Sequence, residues 1–91
     1  MDQQNPKVLL PLANGFEEIE TVSIIDLLRR AQAQVTVASI MGKAHGLILT
    51  GGQDIELKAN TFFEDIDGEY YDLIVCSGGI KNAVSLGSFQ P

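Results

Sequence analysis

The sequence predicts an α/β fold built on a mainly parallel sheet with helices outside it. Three observations carry that reading. The run Val8, Leu9, Leu10 and Leu12 is continuously apolar rather than alternating, the pattern of a strand covered on both faces. A turn signal at Asn14-Gly15 follows it, and helical periodicity then extends over about 17–31. Further β-rich runs at 34–39 and 71–76 make strands and helix alternate, which implies parallel strands joined by crossovers.

Each element has its own justification. Residues 1–6 are polar and read as a flexible tail, leaving 7–91 as the folded part. The first strand spans 7–12. In the helix, Ile19, Val22, Ile25 or Asp26, and Arg29 form one face, and Ile24, Leu27, Leu28 and Ala31 widen the apolar stripe. Glu17 and Glu18 suit the positive end of the helix dipole, and Arg29 and Arg30 the negative end. β-Branched Val35, Thr36 and Val37 support the second strand. Glycines frame a turn at 42–46, and 47–50 and 54–57 flank Gly51-Gly52 as a short hairpin or bulged excursion. A brief helical piece is expected around 62–66. The strand 71–76 is broken by Ser77-Gly78-Gly79, and a short helix is expected over 80–86. Strands buried on both faces need helices on both faces, and one full helix covers such a sheet poorly. The chain therefore reads as half a sheet.

Composition narrows the function classes. The 91 residues are 45% hydrophobic and 20% charged, which suits one small domain or part of one. A net charge of -6 without a basic stripe argues against a nucleic-acid partner. No apolar stretch approaches the ~18–20 residues of a membrane span. A single cysteine permits no internal disulfide and fits a reducing compartment. The first residues lack a basic region followed by an apolar core, so a cytoplasmic location is expected.

Ligands of open α/β sheets bind outside the carboxyl ends of the strands, which directs attention to the junction after 7–12. Glu17, Glu18 and Glu20 open the helix there. Glu20 is expected to point back into the crevice while its neighbours stay wet; the plainer alternative is a solvated helix-surface carboxylate. A carboxyl group held in an apolar crevice favours its protonated form and donates a hydrogen bond. Gly78-Gly79, after the last strand, is either a simple turn or a place where bare backbone N–H groups approach an oxyanion. Both features face the same sheet edge. Cys76, at the end of a strand expected to be buried, is either an inert thiol or one at the crevice floor. His45 is expected to face solvent. With one histidine and one cysteine no metal site is expected, and no phosphate-binding, dinucleotide-binding or Gly-x-Ser-x-Gly motif is present, so no cofactor is expected.

Residues 8–21, Val-Leu-Leu-Pro-Leu-Ala-Asn-Gly-Phe-Glu-Glu-Ile-Glu-Thr, followed by Ile25-Asp-Leu-Leu-Arg-Arg-Ala31, Val35-Thr-Val-Ala38 and Tyr71-Asp-Leu-Ile-Val with Gly78-Gly79, resemble the ThiJ/PfpI family (the DJ-one superfamily) over about residues 7–87. The resemblance implies a flavodoxin-like three-layer α/β/α sandwich related to class I glutamine amidotransferases, represented here by its N-terminal half. It implies a nucleophilic cysteine on a strand-to-helix elbow beyond residue 91. At the Glu20 position it implies a protonated glutamate that hydrogen-bonds that cysteine, and at Gly79 a backbone amide that holds an oxyanion. Gly78, Glu17 and Asn14 become candidate substrate contacts. The implied activities are glyoxal and methylglyoxal hydration or removal of early glycation adducts from proteins, with redox sensing or chaperone-like behaviour without turnover, or an inactive fragment, as the alternatives. The implied partners are a small reactive carbonyl or a glycated protein, the complementary half of the domain, and a second copy in a homodimer, with Glu17 and Arg30 near the interface. One departure stands out. The family's strand before Gly-Gly usually ends in an apolar residue and proline, whereas here it ends in Cys76-Ser77, so Cys76 does not match the nucleophile.

Overall fold

β1 (Lys7–Leu12) and β2 (Gln34–Ser39) form the centre of a parallel sheet, in register from Lys7 beside Gln34 to Leu12 beside Ser39. The computed structural model describes residues 5–77. Residues 1–4 of the expected tail, the Gly78-Gly79 pair and the expected helix over 80–86 lie outside the described residues. The connection between the two strands is α1 (Glu18–Arg30). A hairpin of β3 (Ile48–Thr50) and β4 (Glu56–Lys58) forms a separate antiparallel sheet. β5 (Thr61–Phe62) and β6 (Leu73–Ile74) complete the main sheet, whose order is β5-β2-β1-β6 with every pairing parallel.

Side-chain alternation sorts β1 onto two faces. Val8, Leu10 and Leu12 join Val35 and Val37 in the core, which Phe16, Ile25, Leu49 and Ala59 complete and against which Ile24 and Leu28 pack. Leu9 points the other way and lines a groove with Phe63, Ile66, Tyr71 and Ile74. That second face is clothed by the short 3-10 helix Phe63–Ile66 and the segment after it.

The helix is punctuated at both ends. Glu17 is its N-cap, and its carboxylate accepts the Glu20 N–H at 2.7 Å. At the other end Gln32 adopts a left-handed φ of 73°, with Gln32 N–H bonded to Arg29 O and Ala33 N–H to Leu28 O. These are the paired bonds of a Schellman motif, normally closed by glycine. α1 turns Glu18, Thr21 and Ile25 inward and leaves Ile19 78% exposed, with Val22 and Leu27 also exposed. The expected face of Ile19, Val22 and Arg29 is therefore not the core face. A stripe apolar on both flanks does not disclose which flank packs. Asn60 then ties the helix to the sheet: its Oδ1 accepts Val37 N–H at 2.8 Å and an Arg29 guanidinium N–H at 3.1 Å.

Two strand expectations need correction. The run 71–76 is not a long buried strand. It pairs through Leu73 and Ile74, which are 52% and 60% exposed, because among the described residues β6 is an edge strand with β1 as its single neighbour. Cys76 is likewise exposed rather than buried. Nothing in the sequence signals β5, since two residues are too short to show a period.

Leu10→Ala should lower the unfolding free energy by about 2–5 kcal/mol, because the fully buried side chain leaves a cavity at the centre of the core. Leu27→Ala should change it by less than about 0.5 kcal/mol, as for other surface positions. Gln32→Gly should raise it by up to about 1 kcal/mol by removing the left-handed strain. Denaturant unfolding of the three variants checks all of these.

Candidate functional site

The carboxyl end of β1 runs through Ala13 into Asn14-Gly15, where Gly15 takes φ 89°, a conformation that favours glycine. The tip of the β3–β4 hairpin lies directly against this loop. Gly15 N–H donates to Thr50 O at 2.8 Å, and Gly52 N–H donates to Phe16 O at 2.9 Å. Asn14 Oδ1 accepts Thr50 N–H at 2.9 Å. Glu18 supplies the remaining links: its Oε2 accepts Gln53 N–H at 2.6 Å and Ile55 N–H at 3.3 Å. Five bonds thus staple hairpin to loop, and two of them are charge-assisted.

Glu18 is the carboxylate of the three that leaves water, at 6% exposure, while Glu20 is exposed. This reverses the expected order, in which Glu20 turned inward and its neighbours stayed wet. The reason lies outside the helix. The bare Gly51 backbone leaves a space that the Glu18 side chain fills so closely that a Cβ at Gly51 would collide with its carboxylate. Withdrawal from water pushes the Glu18 carboxyl up, but the N–H groups of Gln53, of Glu18 itself and of Ile55 outweigh that and hold it below its ordinary value. It is a charged clasp rather than a proton donor at neutral pH.

Glu20 stands on the first turn of α1, at the sheet edge where strand carboxyl ends converge. Next to it in sequence, Thr21 is buried and donates its hydroxyl hydrogen bond to Ser77 Oγ at 2.8 Å. Ser77 directly precedes Gly78-Gly79, so a residue beside Glu20 and a residue beside the double glycine touch. Gly78 and Gly79 themselves lie outside the described residues. The other candidate contacts have structural partners: Glu17 caps the helix, and Asn14 holds Thr50, with its Nδ2 3.5 Å from His45 Nε2. Arg30 bonds Asp26 within its own helix at 2.9 Å. His45 is exposed, as expected, and its Nε2 lies 3.1 Å from Ile48 O. Among the described residues no cluster of three His, Cys, Asp or Glu side chains is arranged to hold a metal ion, and no helix is long and apolar enough to cross a membrane. Sequence reasoning missed Glu18, Gly51, Thr21 and Ser77. A signal existed for one pair, since a carboxylate near a Gly-Gly hairpin tip has bare N–H groups within reach.

Parallel strands joined by a helix, with an acidic first turn at their carboxyl ends, define the N-terminal part of a flavodoxin-like α/β domain. The comparisons specify it further. Residues 6–89 match the DJ-1/PfpI family, and the chain belongs to that family. It is 37% identical over 85 residues to protein DJ-1 homolog B of Arabidopsis thaliana, covering 93% of this chain and 19% of that protein. Among solved structures, oxidized DJ-1 of Toxoplasma gondii superposes with a TM-score of 0.82 at 41% identity, over 88% of this chain and 42% of that one. DJ-1beta of Drosophila melanogaster does so with a TM-score of 0.85 at 30% identity, over 92% and 44%. The chain thus spans about a fifth of the plant relative and less than half of these structures.

Because folding depresses the Glu18 carboxyl below its ordinary value of 4.5, the clasp contributes stability above that pH and loses it as pH falls through the lowered value. Unfolding midpoints measured between about pH 6 and pH 3 should fall more steeply for the native protein than for Glu18→Gln. Gly51→Ala should destabilise by about 1–3 kcal/mol near neutral pH and by less as pH falls, since the added methyl displaces the carboxylate from its N–H partners.

Proposed function

We propose that this chain supplies the acidic side of a cysteine-dependent active site that acts on small reactive carbonyls, of the glyoxalase III or protein deglycase type. The observation that carries the reading is the placement of Glu20 on the rim of a DJ-1/PfpI-family sheet, one residue from the contact that leads to Gly78-Gly79. The nucleophile comes from the complementary half of the domain, encoded in the same gene or in a second chain, and the 91 residues alone do not turn over substrate. No cofactor takes part.

The chemistry divides between the halves. A thiolate attacks the aldehyde carbon, the C=O π pair moves onto oxygen, and a hemithioacetal forms when that oxygen takes a proton. Glu20, as general acid and base, delivers the proton and hydrogen-bonds the sulfur. The Gly79 N–H holds the negative oxygen while it exists. Gly78, Asn14 and Glu17 border the substrate, either a free dicarbonyl or a glycated protein side chain. The assembly works as a homodimer in the cytoplasm. Exposed Ile19, Val22 and Leu27 on α1 support a protein partner on that helix, and Glu17 and Arg30 flank them.

One observation favours a second reading. A similar structure is that of an oxidized DJ-1, which supports a redox-sensing or chaperone-like role in which the sulfur is oxidised and no carbonyl is turned over. Mass spectrometry separates the two, since stoichiometric sulfinic acid without carbonyl turnover supports the sensor.

Joined with its complementary half, the native chain should consume methylglyoxal, and Glu20→Ala should reduce kcat/KM on the order of 10²–10⁴-fold. Turnover by residues 1–91 alone, or full activity in Glu20→Ala, contradicts the division of roles.

A further inference from the structure

From 73 to 77, Leu73, Ile74 and Cys76 are exposed, Val75 is half-buried, and Ser77 alone is buried, at 4%. Among the described residues β6 is an edge strand that pairs with β1 through two residues, and Val75 N–H donates to Leu9 O at 2.9 Å. Beyond that bond the strand end is drawn into the protein by the Thr21 hydroxyl, which is fully buried and donates to Ser77 Oγ at 2.8 Å across 56 residues of sequence. Two glycines come next, and glycine places little restriction on φ and ψ. An edge strand that runs into two glycines needs an external constraint if those glycines are to enter the sheet edge at a fixed place.

We propose that the Thr21–Ser77 hydroxyl pair is a positioning latch, which fixes the end of the β6 segment to α1 one residue after Glu20 and so sets the point from which the chain enters Gly78-Gly79. A proline at position 77 would constrain the strand end by another route. A proline ring fixes its own φ near −65° and stiffens the strand end from within. Serine has no such restriction and is held from outside. Its catalytic consequence rests on the reading under Proposed function: Glu20 and the Gly79 N–H serve one reacting carbonyl, and the latch holds their two elements together.

The test combines two readouts. In the 91-residue chain, Thr21→Val and Ser77→Ala should each speed hydrogen exchange at Val75 N–H on the order of tenfold, an expectation for local opening. Thr21→Ser, which keeps the hydroxyl, should exchange like the native chain. Ser77→Pro placed in the Thr21→Val background should restore slow exchange, one constraint replacing the other. In the assembly with the complementary half, Thr21→Val and Ser77→Ala should lower kcat for methylglyoxal roughly tenfold to a hundredfold with KM within about twofold, as misplacement of reacting groups does. Thr21→Ser and the Thr21→Val, Ser77→Pro pair should recover it. Unchanged Val75 exchange in Thr21→Val and Ser77→Ala overturns the latch. Faster exchange with unchanged kcat overturns its positioning role. A native assembly without turnover overturns the functional reading instead, and the latch is then decided by the exchange rates and their rescue by Ser77→Pro.

Discussion

The Glu18 carboxylate, seated on the backbone of the hairpin tip, is the interaction on which the geometry of the junction depends. A loop that leaves a parallel strand and enters a helix has little to hold it in place. Here the hairpin holds it from the side, through backbone bonds at Gly15 and Phe16, the Asn14 side chain, and Glu18 on Gln53 and Ile55. Buried charge is costly unless its hydrogen bonds are made, and those bonds are made here by N–H groups that the Gly51 backbone allows the carboxylate to approach. Glu20 is two residues further along the same helical turn, so its position follows from that of Glu18. The most buried carboxylate of the acidic cluster serves the architecture, and Glu20 stays at the surface.

The larger architecture was legible in the sequence because it rests on patterns longer than a few residues. The non-alternating run of β1, the helix with its acidic and basic ends, and the β-branched β2 fall within one residue of their expected limits. The hairpin around Gly51-Gly52 and the short helical piece near 62–66 were legible through their glycines and spacing. The features that escaped depend on partners distant in sequence. The exposure of Leu73, Ile74 and Cys76 comes from a place at the edge of the sheet formed by the described residues, which their apolar run does not reveal. The packing face of α1 is ambiguous because Ile19, Val22 and Leu27 are as apolar as Ile24, Ile25 and Leu28. The choice between Glu18 and Glu20 was made by a glycine more than thirty positions away.

The candidate site was legible as a place more than as a set of contacts. The carboxyl end of β1 and the acidic first turn were found from the strand-turn-helix pattern, and the family resemblance added the expectation of roles for Glu20 and Gly79. Asn14 and Glu17 turned out to hold Thr50 and the helix N-terminus. Thr21 and Ser77 gave no sequence signal, since small hydroxyl residues are common on both helices and strand ends and show their meaning only when they meet.

The central claim is that the hairpin and the β1–α1 junction move as one unit with the sheet. Native-state hydrogen exchange of the N–H groups of Gly15, Thr50, Gly52 and Gln53, followed across low denaturant concentrations, tests it most directly. The account predicts that these amides open together, with the same denaturant dependence as Val37 N–H in β2. Opening of Gly52 and Gln53 at rates typical of a loose loop, while β2 stays protected, would contradict it.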